Sequence, residues 1–305
     1  MRSVLIPFGI ITVALLLIGL VTGIVGANLF NRESLLPTPE FHIAPQTIFH
    51  LGAFKVTNTL LSAWLTTVVL VAFFAMATRR MAIVPKGLQN VVEIIVEQLY
   101  NFVVSVVGEV NGRRFLPLIA TIFLFVAFNA WIALLPIYPS VGLMYPEGHE
   151  LAGNVQAHLL RSAGTDLNMP LALGIISLLA IEIYGLKAHG RAYFSEFIRV
   201  KTLARGIRRL NIGMIFMGAI DTFVGVLEIF SHGTRLLSFT FRLFGNMTAG
   251  EIVLTMSTFL ASFVVSIVFY GLELLVGFVQ ALIFAGLTLA FIHVAVTPHE
   301  EEAHD

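Results

Sequence analysis

Residues 238–251 read SFTFRLFGNMTAGE, and they place Arg242 and Glu251 inside a run that is otherwise apolar or small. The apolar region around them extends from 210 to 297 and also holds Asp221, Glu228, Arg235 and Glu273, with Gln280 and His293 further on. An ionisable side chain at membrane depth costs roughly 2.5–3.5 kcal/mol on insertion scales, so each of these needs a chemical reason.

The rest of the chain supports reading the region as membrane-buried. Of 305 residues, 57% are hydrophobic and 12% charged, about half the charge of a soluble domain. Apolar runs recur at 4–27, 56–78, 115–135 and 169–186 before the long region begins. Runs of about 18 residues or more define helical spans, so the expected fold class is an all-α polytopic membrane protein. A membrane barrel would alternate polar and apolar residues along its strands, and these runs do not. The net charge is zero and no basic tail is present, which disfavours nucleic acid as a partner. The absence of cysteine excludes disulfides, thiolate metal sites and cysteine nucleophiles. His42, His50, His149 and His158 are scattered without metal-ligand spacing such as H-E-x-x-H, so neither metal nor cofactor is expected.

Two segments flank this pattern. The run 4–27 follows Arg2 as a signal peptide would, but its apolar core is span-length and no clean A-x-A site follows. It reads as a retained anchor, making 1–50 an anchor and outer segment and 51–305 the main domain. Residues 87–111, GLQNVVEIIVEQLYNFVVSVVGEVN, carry Glu93, Glu97 and Asn101 at i, i+4 and i+8. That spacing predicts an amphipathic helix lying at the membrane surface or along the other helices. If Arg2 is cytoplasmic, Arg79, Arg80, Lys86, Arg113, Arg114, Lys187, Arg191, Arg199, Lys201, Arg205, Arg208 and Arg209 fall inside. Only Arg32, Lys55 and Arg161 fall outside. The bias orients the chain, with the loops 29–54 and 136–168 facing outward.

From Arg209 to the polar break near Ser257–Ser262 the chain has no proline. One helix over that length would exceed ~70 Å against a hydrocarbon core of ~30 Å. Either a hidden turn near Ser231–Gly233 divides it, or a single bent helix is steeply tilted. Asp221, Glu228, Arg235 and Arg242 stand seven apart, so they form one stripe that drifts about 20° per step. Glu251 lies nine residues past Arg242, two and a half turns on, and points the other way. If the chain turns near 261, Arg242 comes level with Gln280 and Glu251 level with Glu273. Acids then flank a central arginine on both sides but on different faces, the layout of two polar pathways that do not join. Arginine suits the barrier because it does not lose its proton in a protein. A carboxylic acid passing within ~4 Å would gain about 4 kcal/mol by ionising there, at an effective dielectric of 20.

At this point the residues resemble a known family. FRLFGNMTAGE at 241–251 is similar to the signature of subunit a of F-type rotary ATP synthases, bacterial type. LQNVVE, FNAWIALLP at 128–136, TDLNMPLALG at 165–174 and Gln280 in FVQALIF extend the resemblance over roughly 50–298. It implies a stationary proton channel, itself not an enzyme, against which a ring of small c subunits rotates during ATP synthesis. It implies peripheral-stalk b subunits as further partners and the bacterial plasma membrane as location, with the C-terminus and basic loops cytoplasmic. Arg242 matches the essential arginine facing the ring carboxylates. Glu251, Glu273 and Gln280 match the outer half-channel, and Glu228 the inner one, with Asp221 toward the cytoplasmic end. Ser238 and Asn246 fall on the arginine side. The last two helices are expected to form a long, steeply tilted hairpin. Many bacterial members carry an aspartate in the third-span motif where this chain has Asn129 and Ile132, so that span's share in the outer path rests on Asn129.

Plainer readings stand beside these. Arg235 pairs with Glu228 or a lipid headgroup; Asp221 and His293 sit at the interface; His232 lines the inner path or, more plainly, fills a polar kink. Gly245 and Gly250 permit close helix approach. A self-contained proton-coupled secondary transporter would predict inverted repeats, and none is found. An intramembrane hydrolase would need a zinc motif or a Ser–His pair, and neither stands out.

Overall fold

The computed structural model describes residues 44–144, 155–190, 193, 201–208, 212–260 and 264–297, with isolated positions at 13, 14, 18, 24 and 27. The expected anchor 4–27 lies almost wholly outside the described residues. So do His42, His149, Arg191, Arg199, Arg209 and the C-terminal 298–305.

Five described helices are long and apolar enough to cross a membrane. They are α1 (Asn58–Thr78), α2 (Leu88–Ala133), α4 (Asn168–His189), α6 (Ile212–Leu260) and α7 (Val264–Val296). A four-residue turn of helix, α3 (Ile137–Ser140), and the basic α5 (Lys201–Arg208) complete the helical set. Together they make an all-α polytopic membrane protein. The spans expected at 56–78, 115–135 and 169–186 all fall on these helices. Within the long apolar region α6 keeps helical backbone through Ser231–Gly233 as far as Leu260, and α7 begins at Val264. The hidden-turn alternative is therefore excluded. α6 has 49 residues, about 74 Å of helix. Thr234 returns its hydroxyl to the carbonyl of Ser231, 2.8 Å away, as a helical threonine does.

The expected amphipathic segment forms the helical first part of α2, and a break in the backbone sets it apart from the span that follows. The two parts meet at Gly108, whose φ of 78° and ψ of 169° break the helical path. An L-residue with a side chain is strained at that φ, so glycine permits the break. Two short ribbons lie in the loops before α1 and before α4, which the sequence reading left without strands. β1 (Thr47–Leu51) pairs antiparallel with β2 (Phe54–Thr57), reversing through Gly52 at φ 63°. β3 (Gly142–Met144) pairs antiparallel with β4 (Val155–His158).

The fold divides into two compact units, each assembled from three stretches of chain. The first comprises 1–73, 124–167 and 243–282; the second comprises 74–123, 168–242 and 283–305. In the first unit Gly277 abuts Ala130, where an added Cβ would come within 2.8 Å of the alanine methyl. Trp131 beside it donates its indole N–H to the Leu274 carbonyl at 3.1 Å. In the second unit Phe115 packs edge-on against Tyr184, with centroids 4.8 Å apart. Phe239 packs against Phe284 and Phe291 at 5.1 and 5.8 Å. Gly174 of α4 lies against α6, so close that an added Cβ would meet Leu236 at 2.9 Å and Thr240 at 3.1 Å.

Candidate functional sites

The first unit gathers the residues expected in the outer path. Glu251 accepts from Arg161 through Nε at 3.2 Å to each oxygen and through Nη2 at 3.1 Å, a two-pronged ion pair. Arg161 comes from the loop after β4, and the loop is itself pinned. Its own backbone N–H donates to Ser62 Oγ at 3.1 Å, and Asn58 Nδ2 donates to the His158 carbonyl at 3.2 Å. Thr59 Oγ1 donates to Asp166 Oδ2 at 2.8 Å in a buried contact. Asn58 also accepts from the backbone N–H groups of Gln46 and Thr59, at 3.2 and 3.0 Å. The first turn of α1 thus fixes where the guanidinium sits. Gly164, further along the loop, seats on α6 at Met247, where an added Cβ would lie 2.7 Å from Met247 Cγ. Met247 and Glu251 are four residues apart and share one face, so the loop covers that face of α6.

The neighbouring face of α6 meets α7. The Glu273 carboxylate lies directly over Gly250, where an added Cβ would overlap it. One turn earlier Asn246 Nδ2 donates to Gln280 Oε1 at 2.6 Å. The close approach expected at Gly250 is there. Gly245, in contrast, has no neighbouring atom within 4 Å and permits no contact. Gln280 is 2% exposed. Asn129 on α2 is also buried and donates to Thr66 Oγ1 at 3.3 Å. Tyr138 of α3, outside the spans, lies beside Ser62 and Thr66, and burial pushes its hydroxyl pKa up.

The second unit gathers the residues expected in the inner path. His232 Nδ1 lies 2.5 Å from Glu182 Oε1, and Nε2 lies 3.4 Å from Glu228 Oε1. The kink reading of His232 fails because α6 is unbroken there; the imidazole spans two carboxylates instead. Arg235 does not pair with Glu228. Its guanidinium stacks over the Phe291 ring at 4.5 Å, a cation–π contact. The four stripe residues Asp221, Glu228, Arg235 and Arg242 are all half-buried, as a shared face requires. Asp221 stands two turns before Glu228, about 10 Å along the axis, and is not drawn into the imidazole contact.

Arg242 donates from Nη2 to Ser238 Oγ at 3.2 Å. Its Nη1 is buried without a hydrogen-bond partner, and among the described residues no carboxylate is in ion-pair range of it. Among the described residues no group of acids, histidines or cysteines could hold a metal ion.

Sequence reasoning missed Arg161, Asp166 and Glu182. Arg161 left a signal: it is a cation on the side that the basic-residue rule leaves empty. Glu182 left one too, as the sole acid between 168 and 186 in an apolar helix. Asp166 left none, since its partner Thr59 is 107 residues away.

Residues 60–293 match the family described as ATP synthase A chain. ATP synthase subunit a of Gloeobacter violaceus is 32% identical over 254 residues, covering 83% of this chain and 89% of the relative. ATP synthase subunit a 1 of Pelobacter propionicus is 31% identical over 262 residues, covering 86% and 94%. The subunit a of Moorella thermoacetica is 26% identical over 252 residues, covering 82% and 96%. The family match takes in α4, α6 and nearly all of α1 and α7, and with them every ionisable contact described above except the link to residues 44–59. This chain belongs to the ATP synthase subunit a family and is an integral membrane subunit of an ATP synthase.

Proposed function

We propose that this chain is the stationary proton channel of the F-type membrane sector, carrying two offset half-channels kept apart by Arg242. The observation that carries the reading is the half-buried Arg242 guanidinium, which has a donor without a hydrogen-bond partner and, among the described residues, no carboxylate in ion-pair range. Such a charge is poised for an acid supplied from outside the chain, and a rotating ring of small c subunits with one carboxylate each supplies it. Glu251, Glu273, Gln280 and Asn129 form the outer path. Glu228, Asp221 and His232 form the inner path, with Ser238, Asn246 and Arg235 in support.

A proton enters from outside, neutralises a ring carboxylate, and leaves through the inner path after the ring has turned. Arg242 ionises each returning carboxyl and blocks a direct leak, because it has no proton to lend. Each charge crossing 100 mV releases about 2.3 kcal/mol to rotation. On this reading the chain does no ATP chemistry of its own. It binds the ring and the b subunits of the peripheral stalk, and sits in the bacterial plasma membrane with its basic loops cytoplasmic.

The test is Arg242→Ala in the complete complex reconstituted into vesicles. ATP-driven proton uptake should fall by more than about 100-fold, the scale of a lost preorganised charge at a reacting centre. Retained, coupled uptake would refute the barrier. Failure of a small carboxylate-bearing proteolipid ring to copurify with a tagged chain would sink the reading altogether.

A further inference from the structure

Glu182 has no role in the scheme above, yet it stands alone as an acid in the apolar stretch of α4. An acid in a membrane-spanning helix is costly to insert, and a half-exposed charge contact returns little of that cost. Stability alone does not account for it.

Its position is set by packing. Gly174 lets α4 approach α6 at Leu236 and Thr240. Eight residues further along α4, Glu182 meets His232, eight residues before Thr240. The helices therefore run antiparallel with the two contacts in one register. Ser177, between them on α4, accepts from Thr288 Oγ1 of α7 at 3.2 Å and pins the same helix from a second side. Tyr193 and Arg235 are the other polar groups facing the Glu182 carboxylate.

We infer that Glu228, His232 and Glu182 form a proton relay that carries the inner path from α6 across to α4. A neutral imidazole donates at one nitrogen and accepts at the other, and here each ring nitrogen faces a different carboxylate. When Glu228 is protonated, its O–H bond breaks as an N–H bond forms at His232 Nε2. The proton already on Nδ1 leaves for a Glu182 oxygen, and the ring then resets its tautomer. One proton has moved between helices, no electron has moved, and the charge of the trio is unchanged. The Nδ1 side is at hydrogen-bond distance, and a small rotamer change of Glu228 closes the 3.4 Å gap on the Nε2 side.

This inference rests on the half-channel reading, so the experiment separates the two. The intact complex is reconstituted, and ATP-driven proton uptake is measured for Glu182→Gln, His232→Ala and Arg242→Ala, with subunit content checked for each. Glu182→Gln and His232→Ala should slow uptake about ten-fold or more, a floor set below the roughly 10²–10⁴-fold of a general acid–base group. Added imidazole should restore His232→Ala severalfold and leave Glu182→Gln and Arg242→Ala unchanged. Full-rate uptake in Glu182→Gln, or no imidazole rescue of a fully assembled His232→Ala complex, overturns the relay and leaves the channel reading standing. Uptake that survives Arg242→Ala overturns the channel reading itself.

Discussion

Glu251 and Glu182 are both acids in apolar helices, and each is met by a basic side chain, but the bases differ in kind. Glu251 faces Arg161, whose charge is permanent, and the loop that presents it is tied to α1 by hydrogen bonds at Asn58, Thr59 and Ser62. Glu182 faces His232, which can change protonation near neutrality, and which faces a second acid through its other nitrogen. A permanent cation on a pinned loop holds a carboxylate in place. An imidazole between two carboxylates has a partner for each ring nitrogen. On the proposed reading, the first unit positions an acid and the second hands protons along.

Exchanging the two bases would break the contrast most severely. His232→Arg puts a non-titrating cation between Glu182 and Glu228 and removes the imidazole that could accept and return a proton. ATP-driven uptake should drop by about ten-fold or more, with no rescue by imidazole; unchanged uptake would show that the base in that position is indifferent. The outer pair is partly exposed, with Glu251 at 38%, so its stability contribution is only about 0–1 kcal/mol. Arg161→Ala should therefore leave assembly intact while slowing proton entry severalfold. The double variant with Glu251→Gln should be no slower than Glu251→Gln alone, because two residues acting as one unit are not additive. Additive losses would mean that Arg161 works elsewhere. Gly250→Ala is the mildest: the new methyl displaces the Glu273 carboxylate, the mobile end of a long side chain, without disturbing the backbone. A two- to several-fold loss of uptake is expected with normal thermal stability of the complex. A large fall in stability would show that Gly250 supports the helix contact and not the carboxylate.

Much of this architecture was legible from hydropathy and spacing. The spans are read directly from apolar runs, because a bilayer admits few other solutions. The stripe from Asp221 to Arg242 follows from a seven-residue spacing on any continuous helix. A reversal near 261, supposed from the polar break there, brings Glu251 level with Glu273, and Glu273 over Gly250 agrees with it. What could not be read depends on how helices are rotated against one another. Glu182 and His232 are 50 residues apart and Arg161 and Glu251 are 90, and no local period links them. The division of α2 was legible as an amphipathic segment ahead of a span, but the residue that makes the break was not, since Gly108 is an ordinary residue in sequence until its φ is known. The question of one helix or two between 212 and 260 was energetically balanced in sequence terms, and the polar residues at Ser231–Gly233 pointed the wrong way.

Gly250 and Glu273 occupy what is in effect a single parcel of space with two owners. The size of one side chain limits the reach of the other, so the pair forms a constraint that mutation must negotiate jointly. In lineages of this family, a residue larger than glycine at the position of Gly250 should appear together with a shorter or differently shaped residue at the position of Glu273. A change at 250 that impairs this chain should be compensated more readily at 273 than at any other residue of the last helix. Covariation between these two positions would carry the memory of a contact that neither residue reveals alone.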